Sequence, residues 1–214
     1  RGTGCGGCPA THGGRDMDSP FGGNGVGGVT AAAGTRFRFL IPPRLRGYTR
    51  VSKLVYTAGA TAHTVTACRP IGKTTASAAS TATATVINLN ADPGPSGNAL
   101  AANDLLAVRE TDGVTRLYTV SSVATLSITL TGGLTAGLAA GGSVWNFGVT
   151  GDTDPTIGRA HPTWRGVASD TSTYEDREGG VVAGHEADAP ILIDSDNATD
   201  QGYLDLLSWS YTPR

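Results

Sequence analysis

The residues with the most reactive side chains stand near the start of the chain. Cys5-Gly-Gly-Cys8, followed by His12, has the spacing of half a zinc site or of a redox pair, and Cys68 with His63 could complete a set of four ligands. No second C-x-x-C and no H-x-x-x-H accompanies them. A redox C-x-x-C should open a helix after a strand, whereas this one lies among glycines. Three cysteines, an odd number, do not make a complete intrachain disulfide framework. The expectation is no metal site, with plain thiols and a local or inter-subunit disulfide both left open for Cys5, Cys8 and Cys68.

Gly72-Lys73-Thr74 carries the end of a phosphate-binding loop, but the full motif needs a glycine where Ala67 stands, Pro70 interrupts it, and a Thr/Ala/Ser run follows where a helix should start. Nucleotide binding is therefore not expected. Acidic residues gather late, at Asp152, Asp154, Glu175, Asp176, Glu178, Glu186 and Asp188, without the D-x-[DN]-x-[DN]-G frame of a calcium loop. His161, Trp164 and His185 share that stretch, and Trp164 could serve as a contact anchor or pin the segment to the body. Enough Asp and Glu exist for a glycosidase pair, yet pairing depends on a separation in space. No serine stands in a G-x-S-x-G elbow. The sequence thus offers no catalytic, cofactor-binding or metal-binding residue, and an enzyme is not expected.

The elements around these residues read as strands. Residues 104–148 spell a β-meander: 105–110 and 114–120 flank Asp112-Gly113, a pair favoured in two-residue type I′ hairpins because both positions need φ > 0. Residues 123–130 alternate, with Leu126, Ile128 and Leu130 on one face and Thr125, Ser127 and Thr129 on the other. Gly132-Gly133 ends that run. After a Gly/Ala-rich crossing, residues 143–147 form a fourth strand carrying Trp145 and Phe147. Residues 36–41 alternate Arg with Phe up to Pro42-Pro43, as an edge or entry strand does; snorkelling arginines explain the pattern better than stacking on single-stranded nucleic acid. Residues 51–57 and 61–69 read as a hairpin around Ala58-Gly59-Ala60, with His63 and Val65 on a shared face. Residues 74–85 read as a low-complexity loop leading into a strand over 83–89, and residues 92–97 as a turn cluster. Residues 191–193 and 203–211 read as closing strands, the latter central because both of its faces carry apolar groups. No sustained i, i+3, i+4 stripe marks a long helix.

Composition agrees with an all-β chain. Apolar residues make up 39%, so a core is affordable in 214 residues, while charge falls to 16% and Gly rises to 31 residues. The net charge of −2 gives no footprint for nucleic acid. No apolar run reaches the ~18 residues of a membrane span, and the N-terminus lacks a signal-peptide core. Lys53 and Lys73 are the only lysines among 16 cationic residues, a bias toward the planar donor fork of arginine that suits interfaces. Asn197-Ala-Thr199 is a glycosylation triplet of the kind that also arises by chance.

Two segments stand apart. Residues 1–34 are Gly-rich and poor in large apolar groups, so they cannot build a core and read as an extended arm held by a neighbouring subunit or another protein. Residues 149–190 show little strand pattern and exceed an ordinary loop, which marks them as functional. The expected organisation is an arm over 1–34 and a β-sandwich or barrel over 35–214, with the meander inserted at 100–148 and the long irregular loop at 149–190.

This layout resembles the decoration and other virion structural proteins of tailed bacteriophages. The stretches that carry the resemblance are residues 54–66, residues 102–113 and residues 195–199. The resemblance implies a non-enzymatic capsid decoration or cement protein at the particle surface, a homo-oligomer with a trimer favoured, that clamps neighbouring capsid subunits. The charge and the lack of a long apolar run lead to the expectation of no nucleic-acid or membrane partner. The alternative is an extracellular carbohydrate-binding or adhesion module on a β-sandwich, using Trp164 or Tyr174 and calcium.

Overall fold

The computed structural model describes residues 24–26, 29–31, 38–43, 48–58, 63–94, 99–148, 161–168, 171–175, 182–183, 189–195 and 202–212. Among the described residues there is no helix, and every strand pairing is antiparallel. The all-β expectation therefore holds.

In chain order the strands are β1 Asn24–Val26, β2 Val29–Ala31, β3 Arg38–Ile41, β4 Tyr48–Ala58, β5 His63–Arg69, β6 Gly72–Thr75, β7 Val86–Asn88 and β8 Leu105–Arg109. They continue as β9 Thr115–Ala124, β10 Ser127–Leu130, β11 Ser143–Asn146, β12 His161–Ala168, β13 Thr171–Glu175, β14 Val182–Ala183, β15 Ile191–Ser195 and β16 Gly202–Thr212.

One sheet, in the order β6-β11-β8-β9-β10-β7, curls into a half-barrel. Its two ends are tied by the Ala76↔Leu89 bridge and by Asn90 N donating to Thr75 O at 2.9 Å. The concave side is filled by Ile87, Leu106, Val108, Val120, Ile128, Leu130 and Val144, closed over by Leu134 and Leu138. Alternation explains the filling: in β10 Ile128 and Leu130 are buried while Ser127 and Thr129 are half-buried. The convex side of β8 and β11 is buried too. Leu105, Ala107, Trp145 and Phe147 pack there with Cys68 of β5, Leu192 of β15 and Leu40 of β3. This is why residues 105–108 are apolar without a break.

β3, β5, β12 and β15 form a four-stranded sheet in the order β12-β5-β15-β3. β3 lies at its edge, as Pro42-Pro43 predicts. Arg38 pairs with the buried Asp194 across the β3–β15 register at 3.2 Å, so at this arginine an ion pair stands where a snorkelling side chain is expected. A second six-stranded sheet holds β16 and β4 at its centre, with β13 and β14 on β4 and with β1 and β2 on β16. β16 is thus central, as its two apolar faces predict.

Four expectations change. The chain over 123–130 is not one strand: β9 ends at Ala124, Thr125-Leu126 turn the chain, and β10 starts at Ser127, with Ser127 paired to Ala124. Thr125 takes φ 58 there, so a hairpin without glycine hides inside an alternating run. β4 and β5 are not a hairpin, since they belong to different sheets. The segment 149–190 carries three strands where irregular chain is expected, β12 on β5 and both β13 and β14 on β4. The arm is also partly held by its own chain, because β1 and β2 pair with β16.

β11 follows β10 in sequence but pairs with β8, giving the spatial order β11-β8-β9-β10. That order is a Greek key: three hairpin-linked strands, and a fourth returned beside the first by a long connection. The connection is residues 131–142.

Candidate functional site

The one dense group of ionisable side chains among the described residues sits where that connection crosses the β8–β9 hairpin. Glu110 follows β8, and Arg116 and Tyr118 lie on β9. The turn between them decides whether they meet. Gly113 N donates to Glu110 O at 3.0 Å, Glu110 N donates to Val114 O at 2.9 Å, and Gly113 takes φ 81. This leaves three residues, Thr111, Asp112 and Gly113, in the loop: a type I turn followed by a left-handed glycine, and not the two-residue type I′ turn that Asp-Gly predicts. The extra residue pairs Val108 with Arg116 and Leu106 with Tyr118. Those two side chains therefore share a face with Glu110; a register one residue shorter would place them on the opposite face.

Glu110 is 3% exposed. Its carboxylate accepts from four donors. Oε1 takes the Tyr118 hydroxyl and Thr135 N at 2.9 Å, and Oε2 takes Arg116 Nη1 and Ala136 N at 2.9 Å. Thr111 adds two bonds to the same crossing, from its hydroxyl to Ala136 O at 2.6 Å and from its N–H to Gly137 O at 3.0 Å. On the solvent side Arg116 Nη2 reaches Asp112 Oδ2 at 2.8 Å. The hydrogen bond from Arg116, with a further one from Val114 N, holds the Asp112 carboxyl below the usual aspartate range. Burial, reinforced by the hydrogen bond to Glu110, pushes the Tyr118 phenol above its usual value.

A carboxylate whose lone pairs all face donors has none left to take a proton from a substrate. The arrangement is a clamp. It fastens the Greek-key crossing to the hairpin, and the crossing then lies against residues 80–84: Ser80 exchanges both backbone bonds with Leu138 at 2.8 Å, and Thr83 N donates to Leu134 O at 2.7 Å. Close approach dictates Gly133, where a Cβ would meet Thr83 O at 2.5 Å.

The residues that the sequence singles out for chemistry are dispersed. Cys68 is a buried thiol in the apolar layer between the half-barrel and the four-stranded sheet. His63 lies five positions before it on β5. Gly72-Lys73-Thr74 forms β6, a strand paired to β11, which is not the geometry of a phosphate-binding loop. Lys73 Nζ stands 5.4 Å from the centroid of the buried Trp145 ring, a cation–π contact. Trp164 lies on β12 and Tyr174 and Glu175 on β13, in strands where loops are expected. Cys5, Cys8, His12, Asp152, Asp154, Asp176, Glu178, His185, Glu186, Asp188, Asn197 and Thr199 fall outside the described residues. Among the described residues no three His, Cys, Asp or Glu side chains group as metal ligands, and no helix is long and apolar enough to cross a membrane.

Sequence reasoning passes over Glu110, Arg116 and Tyr118. The signal that could have found them is a Glu two residues before Asp-Gly, with Arg and Tyr at alternate positions after it. No protein-family model, curated protein or solved structure matches the chain.

Proposed function

We propose that this protein is a non-enzymatic structural component of a repeated shell, of the kind that decorates or cements the capsid of a tailed bacteriophage, with capsid or other shell subunits as its partners. What supports the reading is the poverty of the N-terminal segment in groups to bury: β1 and β2 take strand positions along β16 of their own chain through backbone pairing alone, so a segment of this composition can be held by a strand edge. Strand addition of this kind gives affinity through ladder hydrogen bonds and needs no core in the added segment.

The polar residues of the half-barrel support the same reading. Glu110, Arg116, Tyr118 and Thr111 are spent on fixing a crossing, which makes a rigid body suited to bearing contacts. The test is removal of residues 1–34, followed by co-sedimentation with shells stripped of this protein. The truncated chain is expected to stay folded by circular dichroism and to lose attachment. Attachment at the wild-type level would overturn the role given to the arm.

A further inference from the structure

We infer that β1 and β2 exchange between copies, so that residues 24–31 of one chain add to β16 of a second copy when copies are crowded. This deepens the proposed function and rests on it for the source of the crowding.

The two short strands follow a single register on β16: Asn24, Gly25 and Val26 face Trp209, Ser208 and Leu207, and Val29, Thr30 and Ala31 face Leu204, Tyr203 and Gly202. They are one added strand in two pieces, and among the described residues β16 is the only strand that either of them pairs with. Their sequence is Asn-Gly-Val and Val-Thr-Ala. A ladder between identical copies has the same partners in cis and in trans, so exchange changes no contact along the strand. Only the chain over 32–37 joins this strand to β3, which belongs to another sheet. Closing so short a link onto the same body gives an effective concentration in the millimolar range. A neighbouring copy in a lattice supplies a comparable concentration, so cis pairing dominates in dilute solution and exchange becomes competitive on assembly.

The test mixes two full-length chains in a Cys5→Ser, Cys8→Ser background, one carrying Gly25→Cys and the other Ser208→Cys, at about 10 µM and about 1 mM. A disulfide between these register partners across two different chains requires trans pairing. The expected result is a covalent heterodimer on a non-reducing gel that rises at least about fivefold in yield with concentration and exceeds a Gly25→Cys with Tyr203→Cys control, which is out of register. Heterodimer at or below the control level at 1 mM overturns the inference. Thr30→Cys with Tyr203→Cys, also register partners, repeats the test if the first pair unfolds. Attachment to shells is read in a separate experiment, so a failed shell reading and a failed exchange leave different records.

Discussion

Glu110 shows how much one side chain can hold. Its removal leaves two backbone N–H groups, a phenol and a guanidinium facing a hole, and a buried donor without an acceptor costs about 1–3 kcal/mol. Glu110→Ala is expected to destabilise by roughly 2–4 kcal/mol in urea unfolding, chiefly from the two backbone donors of Thr135 and Ala136, since Arg116 keeps its pairing with Asp112. Glu110→Gln should cost nearly as much, because its amide would point a donor at other donors. A loss under about 1 kcal/mol would mean that the clamp is not what fixes the crossing. Two neighbours carry pH dependence of opposite sign. Asp112 has a lowered folded pKa, so its contribution is complete above the ordinary value of 3.8 and fades as pH falls through the lower folded value. The urea-midpoint gap between wild type and Asp112→Asn should therefore be present at neutral pH and close in acid. Tyr118 has a raised folded pKa, so its contribution is complete below 10.0 and is lost as pH rises through the higher folded value. Wild type minus Tyr118→Phe, followed by phenolate absorbance, should show a tyrosine that ionises above pH 10 only while the chain is folded. The three residues were not legible in advance because their meeting depends on turn type. Asp-Gly names the turn's location correctly, but the bond from Gly113 N to Glu110 O selects the longer loop.

Turns decide what the elements present. Replacing Thr111-Asp112-Gly113 by Asn-Gly would give a two-residue turn closed by the same Glu110–Val114 pair, so the β8–β9 register and the contacts of Glu110 stay while the two bonds from Thr111 to the crossing are lost. That variant should still unfold cooperatively, with stability lowered by about 1–2 kcal/mol; loss of the cooperative transition would contradict the register argument. Thr125 makes the complementary case. A β-branched residue at φ 58 is strained by about 1–2 kcal/mol, so Thr125→Gly should raise stability by up to about 1 kcal/mol after the added freedom of the unfolded chain is deducted. Thr129→Gly, inside β10, should lower it. The alternating run over 123–130 was legible as strand and its buried Ile128 and Leu130 were legible as core. The break inside it was not, because Thr125-Leu126 carries none of the glycine, asparagine or aspartate that positive φ favours.

At the scale of the whole chain, composition and alternation were enough for an all-β fold, an edge strand at Arg38–Ile41 and a central closing strand at Gly202–Thr212. The partnering of distant strands was hidden. β4 and β5 are neighbours in sequence and sit in different sheets, and β12 and β13 arise from a stretch whose Gly, Pro and acidic residues mask their pattern. Such pairings depend on the partner's register, which no local window contains. The same holds for β1 and β2, whose glycine-rich sequence has strand character only through β16. That dependence on a borrowed edge links the fold to the proposed role. Its most direct measurement is electron cryomicroscopy of the native protein in the state in which it is purified from its source. Many copies at equivalent lattice positions, each with its N-terminal strand on a β16 edge, are predicted; a protein found only as solitary monomers, with no lattice around it, would contradict the account.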